Sequence, residues 1–113
     1  ETEDAKEDSM WLANKISQLR IFSDKDGVMN KSITEIDGEA IVVSQFTLCA
    51  DTTKGLRPSF SDAAKPELGN ALFDYVVKNT KKLGIKVESG IFGADMRIML
   101  VNEGPITFWL ECS

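Results

Sequence analysis

There is no histidine among the 113 residues. This excludes Ser-His-Asp and Cys-His chemistry within the chain, and any His-based metal site. It also removes the usual general base near neutral pH. An enzyme built from this chain works with backbone donors, hydroxyls, carboxylates or a group carried by its substrate. Cysteine is scarce. Cys49 and Cys112 lie far apart and form no CxxC pair. That usage fits a reducing, cytosolic setting without a metal cluster, and reads first as two small apolar core residues; a single disulfide stays open. No apolar run approaches the roughly 20 residues of a membrane span, and no signal peptide is visible. An excess of basic charge is lacking too: 13 Lys and Arg stand against 18 Asp and Glu, for a net charge of −5. A general nucleic-acid binder shows the opposite balance. A nucleic-acid partner would need a local basic patch.

What is present reads as one soluble domain of mixed α/β class. Hydrophobic residues make up 42% and charged residues 27% of the chain, and 113 residues suffice for a core without disulfides or metals. Residues 2 to 20 read as an amphipathic helix, capped by Thr2 or Asp4, with Ala5, Leu12, Ile16 and Leu19 on its buried face. Trp11 extends that face or anchors an interface. Leu19 to Phe22 leaves as a short strand, and Ser23 to Gly27 is a solvated turn with only a faint likeness to a calcium loop. A second helix spans about Pro66 to Leu83, with Leu68, Ala71, Leu72, Tyr75, Val76 and Leu83 on one face and Gly84 as its stop. Ile85 to Glu88 is a short strand. Two further strands are expected near Met96 to Val101 and Ile106 to Leu110.

The stretch around which the rest is organised is Glu39 to Phe60. Ala40-Ile41-Val42-Val43 reads as a strand buried on both faces. It turns polar without a break through Ser44-Gln45-Phe46-Thr47. A loop with Gly55 and Pro58 follows. A rigid strand that delivers hydrogen-bonding groups to a loop-lined cleft is a common way to build a site. The plainer alternative is that Ser44 and Thr47 are strand residues satisfied by neighbouring backbone.

Ser44-Gln45-Phe46-Thr47-Leu48 matches the SQFTL motif of the D-aminoacyl-tRNA deacylases, also called D-tyrosyl-tRNA deacylases. Asn102-Glu103-Gly104-Pro105-Ile106-Thr107 matches their NxGPxT motif. The stretches Lys54 to Ala64 and Phe92 to Met96 also resemble the family. The likeness covers essentially the whole chain, except that family members usually begin with additional strands before the first helix. Residues 1–113 are thus expected to be a single deacylase-like domain without those strands.

The resemblance implies a β-sheet core, barrel-like or layered, with two main helices outside. It implies a cytoplasmic homodimeric hydrolase that needs no cofactor or metal and does not engage a membrane. Its substrate would be tRNA carrying a D-amino acid or glycine. Ser44, Gln45, Phe46 and Thr47 would form the catalytic turn. Backbone N–H groups around Phe46 and Thr47 would hold the oxyanion. The substrate's ribose hydroxyl would accept the proton, or Thr47 would act as nucleophile. Gly104 and Pro105 would read chirality in the partner's site through a cis peptide, a form found in only about 5–6% of X–Pro bonds. Phe60 and Met96 are candidate pocket walls, or alternatively core residues. Lys54 and Arg57 are candidate phosphate contacts, or alternatively solvated charges. The competing reading is a non-catalytic nucleic-acid-binding dimer associated with DNA replication; a purely structural fragment is a third.

Overall fold

The computed structural model describes residues 1–112. It is a mixed α/β domain in which helices α1 (Lys6–Gln18) and α2 (Pro66–Lys82) pack on each other, and α2 also covers a small sheet. α1 begins one turn later than the apolar spacing predicts. Its N-cap is Ala5, which has no side-chain oxygen to offer, so neither Thr2 nor Asp4 caps it. The Asp8 carboxylate instead accepts the Ala5 N–H at 2.7 Å. That bond ties down the helix start and holds the Asp8 carboxyl below its usual range.

The buried face of α1 differs from expectation. Ser9, Ala13 and Ser17 are the buried positions, whereas Leu12, Ile16 and Leu19 are half-buried and Ala5 is exposed. Small residues one turn apart let the helices approach closely, and the Ser9 hydroxyl reaches the Leu72 carbonyl at 3.4 Å. The larger side chains flank this seam. Ile16 and Leu19 line an apolar groove of about 240 Å³ with Ile21, Phe22 and Ile33. In α2, Val77 and Thr80 are buried and Phe73 packs on the core, while Ala71 and Leu83 of the expected face are exposed. Thr80 satisfies its hydroxyl on the Val76 carbonyl at 2.8 Å. Gly84 adopts φ 87° just past the helix, which favours glycine there.

A hairpin pairs β1 (Phe22–Ser23) with β2 (Met29–Lys31) in antiparallel register. Its turn is held by the Asp24 carboxylate, which accepts the N–H groups of Asp26 and Val28. The second sheet pairs β3 (Glu39–Val42) with β4 (Lys86–Ser89) in parallel, connected through α2. Ala40 and Val42 face the core of Ile33, Val77, Ile85 and Val87, with Phe22 and Phe73 beside them. β3 is not buried on both faces: Ile41, pointing the other way, is 69% exposed.

Among the described residues the sheets remain two pairs and do not close into a barrel. The stretches 96–101 and 106–110, expected as strands, carry no ladder. Their apolar residues suit strands, but a ladder needs a neighbouring edge, and none of the described strands pairs with them. Much of their apolar surface is open, with Met99, Val101 and Trp109 at 96%, 92% and 65% exposure.

Unfolding in urea tests where the core sits. Ile85→Ala, at 3% exposure, is expected to cost about 2–5 kcal/mol. Ile41→Ala, on the open face, is expected to stay within about 0.5 kcal/mol. Equal losses would contradict the one-sided burial of β3.

Candidate active site

The site grows from the end of β3. The ladder stops at Val42, and the next bond, from the Gly90 N–H to the Val42 carbonyl at 2.9 Å, ties the exit of β4 to that end. Val43 and Ser44 are half-buried. The chain then turns at Gln45 into a short 3-10 helix, Phe46–Cys49. The polar motif is therefore a turn and not a continuation of the strand. The reason is local: the Leu48 N–H bonds the Gln45 carbonyl at 3.3 Å and the Ala50 N–H bonds the Thr47 carbonyl at 3.1 Å. Such i to i+3 bonds pull the backbone away from a ladder.

This turn has two chemical consequences. The N–H groups of Phe46 and Thr47 precede its first internal bond, and none of the described hydrogen bonds uses them. They are adjacent donors on a rigid support. Secondly, the Gln45 amide donates to the Thr47 hydroxyl oxygen at 2.6 Å. An amide is not a base near neutral pH, so this contact orients Thr47 without activating it as a nucleophile.

Phe60 returns to the turn. Its ring lies 5.0 Å from that of Phe46, centroid to centroid, at an interplanar angle of 60°. This tilted pairing lets one ring's edge approach the other's face. The intervening loop is closed by a two-way backbone pair between Asp51 and Ser59, at 2.8 and 2.9 Å. Thr53 donates its hydroxyl and N–H to the Asp51 carboxylate, which keeps that carboxyl below the usual range. Lys54 and Arg57 lie in this closed loop, both exposed. Neither forms an ion pair among the described residues. Their charges are available to an incoming anion.

Met96 packs over Gly90, beside Val43. It therefore sits at the end of β3 from which the turn departs. The Gly104–Pro105 peptide is cis. Both residues are exposed, and nothing lies within 4 Å of the point where a Gly104 side chain would project. Around them, the Gly104 N–H bonds the Asn102 carbonyl at 2.9 Å, and the Asn102 amide approaches the Thr107 hydroxyl at 3.5 Å. The fold thus gathers Ser44, Gln45, Phe46, Thr47 and Phe60, and sets Met96 at the strand end. The Gly104–Pro105 turn is exposed, and none of the described residues forms a pocket around it.

A cavity of about 420 Å³ opens beside the turn. Gln45, Leu48 and Cys49 share its wall with Asp8, Trp11 and Trp109, whereas Phe46, Thr47, Phe60, Met96 and Pro105 do not line it. Of the SQFTL motif, Gln45 and Leu48 reach it and the other three residues do not. Cys49 is half-buried and Cys112 exposed, so neither is the core residue that the composition favours. A hydrogen bond with Asp8 pushes the Cys112 thiol up. No group of three or more Cys, Asp or Glu is arranged to hold a metal among the described residues, and no helix is long and apolar enough to cross a membrane.

Residues 1–111 match the family described as D-Tyr-tRNA(Tyr) deacylase. The D-aminoacyl-tRNA deacylase of Chromobacterium violaceum is 54% identical over 98% of this chain and 75% of its own. That of Thermotoga petrophila is 51% identical over 98% of this chain and 74% of its own. The solved structure of the c-Myc DNA Unwinding Element Binding Protein superposes with a TM-score of 0.89 at 31% identity, covering 99% of this chain and 76% of that one. The chain spans about three quarters of each of these proteins. With the match running through both the SQFTL turn and the Gly-Pro turn, the chain belongs to the D-Tyr-tRNA(Tyr) deacylase family.

Proposed function

We propose that this protein hydrolyses the ester bond of D-aminoacyl-tRNA, releasing free D-amino acid and tRNA. Family membership across residues 1–111 carries the proposal. The turn Ser44 to Thr47 is its chemical centre. A water oxygen attacks the ester carbonyl carbon, and the tetrahedral oxyanion sits on the N–H groups of Phe46 and Thr47. The ester C–O bond then breaks. The free ribose hydroxyl of the terminal adenosine relays the water's proton to the departing ribose oxygen, so no histidine is needed. Gln45 and Ser44 hold the turn and its hydroxyl in place. Phe60 and Met96 wall the acyl site.

Chirality is read by Gly104 and Pro105. In our reading this turn enters the site of a second copy, so the working unit is a homodimer in which each site takes groups from both chains. Its exposure on one protomer supports that reading. A backbone that crowds out an L side chain does not reject glycine, so glycyl-tRNA is a second substrate. The bare apolar stretches 96–101 and 106–110 support the further reading that the sheets join a barrel-like or layered core. Lys54 and Arg57 contact tRNA phosphates, and translation quality control places the protein in the cytoplasm. A non-catalytic nucleic-acid-binding dimer is not favoured. The structural relative is named for binding a DNA unwinding element, but here the net charge is −5 and the SQFTL turn is intact.

Paired assays on the same tRNA test the reaction. D-aminoacyl-tRNA is expected to be cleaved and the L-aminoacyl form spared; equal cleavage of the two would reject chiral editing. Thr47→Ala is expected to keep measurable turnover, because backbone N–H groups survive the substitution. Complete loss in a folded Thr47→Ala protein would transfer the chemistry to the hydroxyl. Replacing Lys54 and Arg57 together by alanine is expected to raise KM, leave kcat nearly unchanged and flatten the salt dependence of KM. A salt dependence equal to wild type would remove both residues from the tRNA surface.

A further inference from the structure

We infer that Gly90 is a positioning residue for the acyl site: its missing side chain makes the seat on which Met96 lies, and so sets how far Met96 projects toward the substrate. The inference rests on the hydrolase reading and adds a residue to it. A side-chain carbon built on Gly90 would meet the Met96 Sδ at 2.7 Å, the Met96 Cε at 3.5 Å and the Val43 Cγ1 at 3.6 Å. The first distance is closer than real Cβ atoms come to a neighbour. Glycine is not needed there by the backbone. Gly27, Gly55, Gly84 and Gly93 have φ between 69° and 87°, but Gly90 lies outside the left-handed region. Its φ does not call for glycine, so the requirement seen at this position is space.

That space matters because of where it is. The Gly90 N–H bond to the Val42 carbonyl locks the seat to the end of β3, two residues before Ser44. A Met96 side chain lying on this seat is thereby registered to the catalytic turn through one short, rigid path. Methionine is unbranched and flexible, so a new methyl group would displace the thioether rather than the strands. The substitution would move a wall of the site while sparing the core, since Ile85 and Val87 pack elsewhere. Misplacing a group beside the reacting atoms by about 1 Å can cost on the order of 100-fold in rate.

The test compares wild type, Gly90→Ala, Met96→Ala and the double variant, each checked for native circular dichroism and a cooperative thermal transition. Gly90→Ala is expected to fold, to shift the Met96 methyl resonance in carbon-labelled protein, and to lower kcat/KM for D-aminoacyl-tRNA about tenfold. In the Met96→Ala background the same change is expected to alter kcat/KM less than twofold, because the displaced group is gone. A purely structural glycine would lower activity equally in both backgrounds, and that result would overturn the inference. So would a Gly90→Ala protein that matches wild type in turnover. A wild-type protein that leaves D-aminoacyl-tRNA intact would overturn the assigned reaction, and the role of Gly90 with it, even if the Met96 methyl moves.

Discussion

The parallel pairing of β3 with β4 is the constraint on which the rest depends. A parallel pair needs a long crossover, and α2 is that crossover, so the helix is placed over the sheet by connectivity as well as by Val77 and Phe73. The pairing also fixes where the two strands end. β3 gives way to the SQFTL turn and β4 to Gly90, and the Gly90-to-Val42 bond joins those exits. The turn is thus mounted on a hydrogen-bonded strand pair with a buried apolar face. A charge interaction between Lys86 and Glu39 at the other end, 3.4 Å long and exposed on both sides, contributes little by comparison.

A chain without histidine can still perform ester hydrolysis because the difficult step is divided differently. General acid–base catalysis typically supplies about 10²–10⁴ in rate. An oxyanion donor supplies about 10²–10³ on its own. In the proposed mechanism, adjacent N–H groups at the head of the 46–49 turn compensate much of what an absent imidazole would contribute, because the reaction needs no strong base. An aminoacyl ester beside a free ribose hydroxyl is such a reaction. The Gln45 contact to Thr47 fits this division, since it aims a hydroxyl without taking its proton.

The helices and the hairpin turn were legible because their signals are local. Pro66 opens α2 and Gly84 closes it, where spacing and turn chemistry placed them. The contacts between elements were less legible. In α1 the small residues Ser9, Ala13 and Ser17 face inward, because close helix approach rewards small side chains over large apolar ones. The apolar run of β3 reads as buried on both faces, but burial depends on what covers a face, and nothing in Ala40 to Val43 specifies that cover. For the same reason the apolar stretches at 96–101 and 106–110 predict strands, while the ladder depends on a neighbour. The motif residues of the site were legible as a family likeness. Their geometry was not: Ser44 to Thr47 looks like the end of a strand, and the break into a turn is set by backbone bonds that composition does not encode. Nothing in the sequence distinguishes Gly90, because its meaning lies in a contact with a residue six positions away.

Electrostatics places the substrate's two ends differently. The chain carries a net negative charge, so at long range it repels tRNA. Salt confines this repulsion to about 8 Å under physiological conditions. Within that distance local charge decides, and the loop closed by Asp51 and Ser59 presents Lys54 and Arg57 without neighbouring carboxylate partners among the described residues. Asp51 itself is occupied by Thr53 and stays at the base of the loop. The far end of the same loop carries Phe60 back onto Phe46. One segment therefore couples an exposed basic tip to the Phe46–Phe60 ring pair, and in the proposed mechanism the pose of the tRNA backbone and the placement of its ester are set by the same short piece of chain.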